Sequence, residues 1–324
     1  MKELKAPAPT DVILQSGRLV ANYGRQVIIE DACGVRVPCR LHGRRLSAVC
    51  GDQVQWGYAQ SGDRTGIVYH LLPRQRVLSR LSGLGTSEAI VANLSQLVVV
   101  AAAVPAPDWF VVDRYLAGAE WSGLKAVVVF NKCELGLTPM AETELLSYQA
   151  MGYRIARTST RSEPGHGALS ATLADQISVL VGQSGTGKSS LLNALIPEAM
   201  AITQEISAAT EEGRHTTTHA ILHHLKTGGE LIDSPGVRDY SPPVPELRHI
   251  ASGFVDLLAH AAGCKFQDCL HTHEPGCAVR AAVDDGRLRA RRYDSFRHLL
   301  SLAREMHERF PVRRKGKESS RPRE

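Results

Sequence analysis

Eight residues, Gly182-Gln183-Ser184-Gly185-Thr186-Gly187-Lys188-Ser189, constrain this chain more than any others. They fit G-x4-G-K-[ST] and stand between an apolar run, Ile177–Val181, and a stretch that reads as a helix, Lys188–Leu195. Strand, glycine loop and helix in that order make a cradle for phosphate. The glycines let backbone N–H groups converge, and the helix adds the positive end of its dipole. Lys188 is placed to reach the terminal phosphates and Ser189 to hold Mg²⁺ through its hydroxyl, with Ser190 following in the same turn. A chance glycine-rich turn would need neither the strand nor the helix.

The neighbouring sequence supplies the rest of a nucleotide pocket. Leu97–Ala103 and Ala126–Phe130 are continuous apolar runs, as buried parallel strands are, and Asp108–Trp121 between them reads as a helix. The alternation predicts an α/β domain with a parallel sheet. Asp233-Ser234-Pro235-Gly236 follows the apolar pair Leu231-Ile232. A D-x-x-G at a strand end lets Asp233 hold Mg²⁺ through water and Gly236 donate its N–H to the terminal phosphate. Asn131-Lys132-Cys133-Glu134 resembles the N-K-x-D guanine motif. In that motif the Asn braces the pocket, the Lys stem covers the base, and the carboxylate accepts from guanine N1 and N2. Glu134 keeps the carboxylate but adds a methylene. Guanine is expected, because the matching edge of adenine offers the wrong hydrogen-bonding pattern. Thr158-Ser159-Thr160, after the possible strand Tyr153–Arg157, resembles the S-A motif that backs the base and assigns Ser159 to the nucleotide. The expected cofactors are GTP or GDP and magnesium.

Order along the chain is informative. In ordinary GTPases the phosphate loop comes first and the guanine motif later, whereas here Asn131 precedes Gly182. The elements must still meet at the carboxyl ends of the strands, and a circular permutation satisfies that. It also ties the chain after Asp233 directly to whatever follows.

The 324 residues suit two or three domains. Residues 12–72 read as short strands, Arg18–Val20, Gln26–Glu30, Val35–Leu41, Asp52–Gly57 and Gly66–Leu71, broken by turns. That spacing suggests a small barrel, either an OB-fold or an SH3-like barrel. Beyond residue 245, Leu247–Ala261 and Ser295–Met306 carry apolar residues at helical spacing. The expected architecture is multidomain: an OB-fold-like barrel over 1–75, an α/β permuted P-loop domain over 76–245, and a mostly helical domain over 246–324. From about Pro311 the chain is expected to be disordered. No uncharged apolar run spans a bilayer and the N-terminus lacks an apolar core, so a cytoplasmic protein without membrane contact is expected.

Three of the seven cysteines crowd together: Cys264-x4-Cys269-x-His271-x5-Cys277. Three thiolates and an imidazole make a complete tetrahedral set for one structural zinc, with no open position. His273 competes with His271, which is preferred. Arg287 to Glu324 holds thirteen Lys and Arg against five acids, a net +8 that fits a polyanion. Arg289, Arg291, Arg292, Arg313, Arg314, Lys315, Lys317, Arg321 and Arg323 are candidate phosphate contacts. On the barrel, Arg36, Arg40, Arg44 and Arg45 form a basic cluster, and Tyr23, Trp56 and Tyr69 are the available aromatic platforms. The bland alternative is a solvated strand face.

Taken together, the chain resembles the circularly permuted ribosome-biogenesis GTPases of the RsgA (YjeQ) family. The resemblance covers nearly its whole length and rests on six segments: Gly51-Asp52-Gln53-Val54, Asp113-Arg114-Tyr115-Leu116, the phosphate loop, Gly213-Arg214-His215-Thr216-Thr217-Thr218, Asp233-Ser234-Pro235-Gly236-Val237-Arg238, and Cys264 through Val279. It implies a GTPase that binds the small (30S) ribosomal subunit and its rRNA late in maturation, with turnover stimulated by the ribosome. A monomer is expected.

Catalysis reads less directly. A threonine between the phosphate loop and Asp233 can coordinate Mg²⁺ and sense the γ-phosphate; of Thr216, Thr217 and Thr218, the middle one is preferred. Ras-like enzymes orient the attacking water with a glutamine just after D-x-x-G, but here that position is Val237. His215, matching the histidine of the family segment, is the nearest group able to accept a proton or position water. The missing glutamine favours slow basal hydrolysis completed by a partner. Two alternatives stand beside this reading: a nucleotide-dependent RNA-binding switch that hydrolyses negligibly, and a GTPase acting on another RNA.

Overall fold

A computed structural model describes residues 12–43, 46–58, 65–81, 87–162, 165–197, 220–238 and 240–309. The chain divides into two compact units, Met1–Pro243 and Val244–Glu324.

The first unit begins with five strands, β1 (Gln15–Asn22), β2 (Gln26–Asp31), β3 (Arg36–Leu41), β4 (Gln53–Tyr58) and β5 (Gly66–Leu71). They run in the order β1-β2-β3-β5-β4, with β4 returning to pair with β1 and β3 parallel to β5. This closed order is that of an OB-fold, which decides against the SH3-like alternative. Side chains alternate across each strand, so in β4 Val54 and Trp56 point inward, at 0% and 1% exposure. Tyr69 on β5 is likewise buried. Neither ring is a platform for a base, which corrects that part of the sequence reading; Arg36 and Arg40 on β3 are exposed, and Arg44 and Arg45 lie outside the described residues. Asp52, fully buried, accepts from the Val49 N–H at 2.8 Å and from the Arg74 guanidinium at 2.6 and 2.8 Å. That explains the barrel segment Gly51-Asp52-Gln53-Val54 as a structural knot.

A two-stranded hairpin, β6 (Val77–Leu81) and β7 (Ser87–Ala92), follows and was not foreseen. Then β8 (Gln96–Ala102), α1 (Trp109–Trp121), β9 (Lys125–Asn131), α2 (Pro139–Ala150), β10 (Arg154–Arg157), α3 (Gly167–Leu173), β11 (Ile177–Val181) and α4 (Lys188–Leu195) alternate. The strands β12 (Ala220–His224) and β13 (Glu230–Asp233) and a short turn of helix, α5 (Pro235–Arg238), complete the unit. Asp108 starts α1 by accepting the N–H groups of Phe110 and Val111. The sheet order is β10-β9-β8-β11-β13-β12, parallel except for β12. Val98, Val100, Val127 and Val129 pack there against Leu169 and Leu191.

β12 has a second partner. It pairs antiparallel with β1, so that Ala21 faces Ile221, and Ile221 in turn faces Asp233. Barrel and α/β layer therefore share one eleven-stranded sheet. A charge cluster covers this seam. Arg18 binds Glu230 at 2.6 and 2.5 Å, and Nε2 of His224 lies 2.9 Å from Glu30.

The second unit holds a 3₁₀ turn (Leu247–Gly253), α6 (Val255–Ala261), α7 (Ala278–Asp284) and α8 (Ala290–Arg309). Arg292 is 0% exposed. It pairs with Asp256 at 3.2 Å and lies over the Phe254 ring at 4.6 Å. Its charge is spent inside the unit, so it drops out as a phosphate contact. The basic residues from Arg313 onward lie outside the described residues. Among the described residues, no helix is long and apolar enough to cross a membrane.

Candidate nucleotide site and metal centre

The phosphate loop runs from the end of β11 into α4. Gly187 adopts φ +92°, and a Cβ there would collide with the Asn131 amide. Only glycine fits both the backbone and the close approach. Thr186 is fixed by its hydroxyl donating to the Gln183 carbonyl at 2.9 Å. Lys188 turns back over the loop, its amine 2.7 Å from the Gly182 carbonyl and 2.9 Å from that of Gln183.

The base end is built on the ends of β9 and β10. Asn131 is buried and donates to the Thr186 carbonyl at 3.0 Å, while its own Oδ1 accepts from the Thr158 hydroxyl at 3.0 Å. Lys132, at φ +59°, sends its amine to the carbonyls of Val104 (2.6 Å) and Gly185 (2.7 Å). Its stem is thereby stretched between base end and phosphate end. Glu134 lies on a short 3₁₀ turn, Cys133–Leu135. The Ser159 hydroxyl donates to its carboxylate and holds it below the usual carboxylate range. Ser159 in turn accepts the N–H groups of Arg161 and Ser162 at 3.1 and 3.0 Å, so its one proton is left for Glu134.

These pieces enclose a cavity of about 870 Å³ lined by Asn131, Lys132, Glu134, Lys188, Ser189 and Asp233 among others. That volume suits a nucleotide-sized ligand. Asp233 enters it from the end of β13, and Gly236 follows in α5. Val237 lines the same cavity, is 3% exposed, and has no polar atom with which to hold a water. Ser189 and Asp233 both line the cavity and offer a hydroxyl and a carboxylate, the oxygen donors a hard cation takes. His215, Thr216, Thr217 and Thr218 lie outside the described residues.

In the second unit Cys264, Cys269, His271 and Cys277 bring their ligand atoms within 4.8 Å of one another. Nδ1 of His271 is 3.4 Å from the Cys264 sulfur and 3.6 Å from that of Cys277, and the two sulfurs are 4.0 Å apart. The edges of a tetrahedron around zinc are about 3.5–3.8 Å, from bond lengths of ~2.0–2.3 Å, so the residues fit that ion. His273 is exposed and turns instead to the Thr272 hydroxyl at 2.9 Å.

A sequence model of the RsgA GTPase family matches residues 71–242. A protein of Chromohalobacter salexigens called small ribosomal subunit biogenesis GTPase RsgA is 42% identical over 290 residues, covering 88% of this chain and 85% of its own length. The chain belongs to the RsgA GTPase family. A Pseudomonas aeruginosa protein of the same name is 38% identical over 293 residues, with 89% and 85% covered. Among solved structures, YjeQ from Thermotoga maritima superimposes with a TM-score of 0.72 at 27% identity, over 90% of this chain and 99% of that one. YloQ, described as a circularly permuted GTPase, shares the fold with a TM-score of 0.70 at 24% identity, over 93% and 98%. Membership makes the chain a GTPase, with its guanine motif ahead of its phosphate loop.

Of two further contributors to these sites, Thr158 entered the sequence reading only as part of the Thr158-Ser159-Thr160 motif, and Glu274 not at all. Thr158, buried between Asn131 and the Cys133 N–H, locks the base end; its place beside Ser159 was the only signal. Glu274 accepts the N–H groups of Leu270, Thr272 and His273 at 3.2, 2.9 and 3.1 Å. Burial pushes its carboxyl up, but these donors outweigh it and bring it to about 2. An acid inside the cysteine loop was visible in the sequence and went unread.

Proposed function

We propose that the chain hydrolyses GTP in the cavity between Glu134 and Lys188 to drive its release from a maturing small ribosomal subunit. The observation that carries this is the joining of base end and phosphate end, in permuted order, through the Asn131–Thr186 bond. Its relatives are named for small-subunit biogenesis. Guanine is read by Glu134, with Asn131, Lys132 and Ser159 shaping its surroundings. The loop residues Gly182, Gln183, Ser184, Gly185, Thr186, Gly187, Lys188, Ser189 and Ser190 surround the phosphates. Mg²⁺, held by Ser189, Asp233 and Thr217, supplies charge neutralisation at the phosphate oxygens, and Gly236 donates its N–H to the γ-phosphate. His215 positions the attacking water, since Val237 offers no polar atom. One zinc is held by Cys264, Cys269, His271 and Cys277. The barrel's Arg36 and Arg40 and the basic C-terminal segment contact rRNA, and the protein acts as a cytoplasmic monomer with domains over 1–75, 76–245 and 246–324.

The test is co-sedimentation with purified small subunits. Retention with a non-hydrolysable GTP analogue and loss with GDP is expected. Equal retention with both nucleotides contradicts the release cycle, and retention that depends on the nucleotide without turnover favours the nucleotide-dependent RNA-binding switch.

A further inference from the structure

We propose that Tyr293 on α8 is a positioning residue of the metal centre, holding His271 in the backbone conformation that turns Nδ1 toward the thiols. The inference rests on the zinc reading above. His271 has φ +59°, in the left-handed region that costs free energy for any residue with a Cβ and persists only where the surroundings impose it. The imposing group is on α8. The Tyr293 phenol donates to the His271 carbonyl at 2.6 Å, and both residues are buried.

Phe296 stands one helical turn further along the same face of α8. Its ring centroid lies 6.1 Å from the His271 imidazole, and 6.1 Å from the Tyr293 ring, on which it stacks. Phe254 packs edge-on against Phe296. His271 is thus clamped at its backbone by Tyr293 and walled at its ring by Phe296. The result is an imidazole with Nδ1 at 3.4 and 3.6 Å from two sulfurs. A ligand held this way needs little reorganisation when zinc binds, which is how groups behind metal ligands raise affinity. The same contacts make the metal and the basic helix α8 one folding unit. A ligand set and the helix behind it are stabilised together when folding and binding are coupled.

Zn²⁺ affinity of the full chain, measured by competition with a chromogenic chelator, tests this. Tyr293→Phe is expected to weaken Zn²⁺ at least tenfold, as substitutions behind metal ligands do by about 10–100-fold. It should lower the thermal stability of the zinc-loaded protein more than that of the metal-free protein, where only the hydrogen bond to the His271 carbonyl is lost, and alter the tetrahedral absorption of the Co²⁺-loaded form. Leu299→Ala, at a buried position of α8 six residues beyond Tyr293, should lower stability with and without metal and leave Zn²⁺ affinity within twofold. Tyr293→Phe affinity within twofold of the parent, or an equal stability loss in both states, overturns the proposal. A parent protein that takes up no Zn²⁺ removes the zinc reading itself, a failure visible before any variant is made.

Discussion

The side-chain amide of Asn131 donates to the backbone carbonyl of Thr186 at 3.0 Å, across 55 residues of sequence. This bond fastens the guanine-reading loop to the phosphate loop, and Thr158 completes it by donating to the other end of the same amide. The two loops end different strands, β9 and β11, and this side-chain bond ties them directly. Asn131→Ala leaves two buried partners unsatisfied at about 1–3 kcal/mol. The expected result is a lower urea midpoint with an unchanged slope and at least about tenfold weaker GDP binding. A variant that unfolds like the parent and keeps GDP affinity contradicts the assignment.

Lys188→Ala and Ser189→Ala are expected to lower GTP turnover by about a hundredfold or more, the scale of removing a preorganised group that meets developing charge. Phosphate release under saturating GTP measures this. Turnover unimpaired in both variants rules out the phosphate loop as the seat of hydrolysis.

Val237 is buried against the cavity. Placing the glutamine of Ras-like enzymes there should not speed hydrolysis, because the position is only 3% exposed and a longer polar side chain must displace its neighbours to enter it. Val237→Gln is expected to cost about 1–3 kcal/mol for a buried amide and to leave basal turnover no faster. Accelerated basal turnover in Val237→Gln would show that a missing glutamine alone makes the enzyme slow.

The seam cluster gives a pH dependence. Burial raises the Glu30 carboxyl, but the His224, Arg18 and Arg36 partners outweigh it and bring the folded value below the ordinary 4.5. A depressed carboxyl stabilises the fold above its unfolded value and loses that contribution as pH falls through the folded value. Stability of the parent should therefore decline below about pH 4.5, and Glu30→Gln should flatten that part of the curve. Parallel curves for parent and variant contradict the role of Glu30.

What was legible in the sequence was local. The phosphate loop, the Asn131 and Asp233 motifs and the cluster of Cys264, Cys269, His271 and Cys277 each lie within a short stretch whose residue types have a chemical reason. Their order along the chain carries the permutation. What was not legible depends on pairing between distant strands. β12 has only five residues and weak alternation, yet it joins barrel and α/β layer by placing Ile221 between Ala21 and Asp233. The barrel aromatics were misplaced for a related reason: a strand's inward face is fixed by its register in the closed barrel, and that register puts Trp56 inside. Arg292 looked like one more basic residue of the tail until Asp256 and Phe254, far away in sequence, claimed it.

The central claim is that this GTPase is completed by the small ribosomal subunit. The most direct measurement is GTP hydrolysis by the purified protein alone, with purified small subunits, and with large subunits, using ATP as the nucleotide control. The account predicts slow basal turnover, a large stimulation by small subunits, and no stimulation with large subunits or ATP. Equal rates in all mixtures would contradict it.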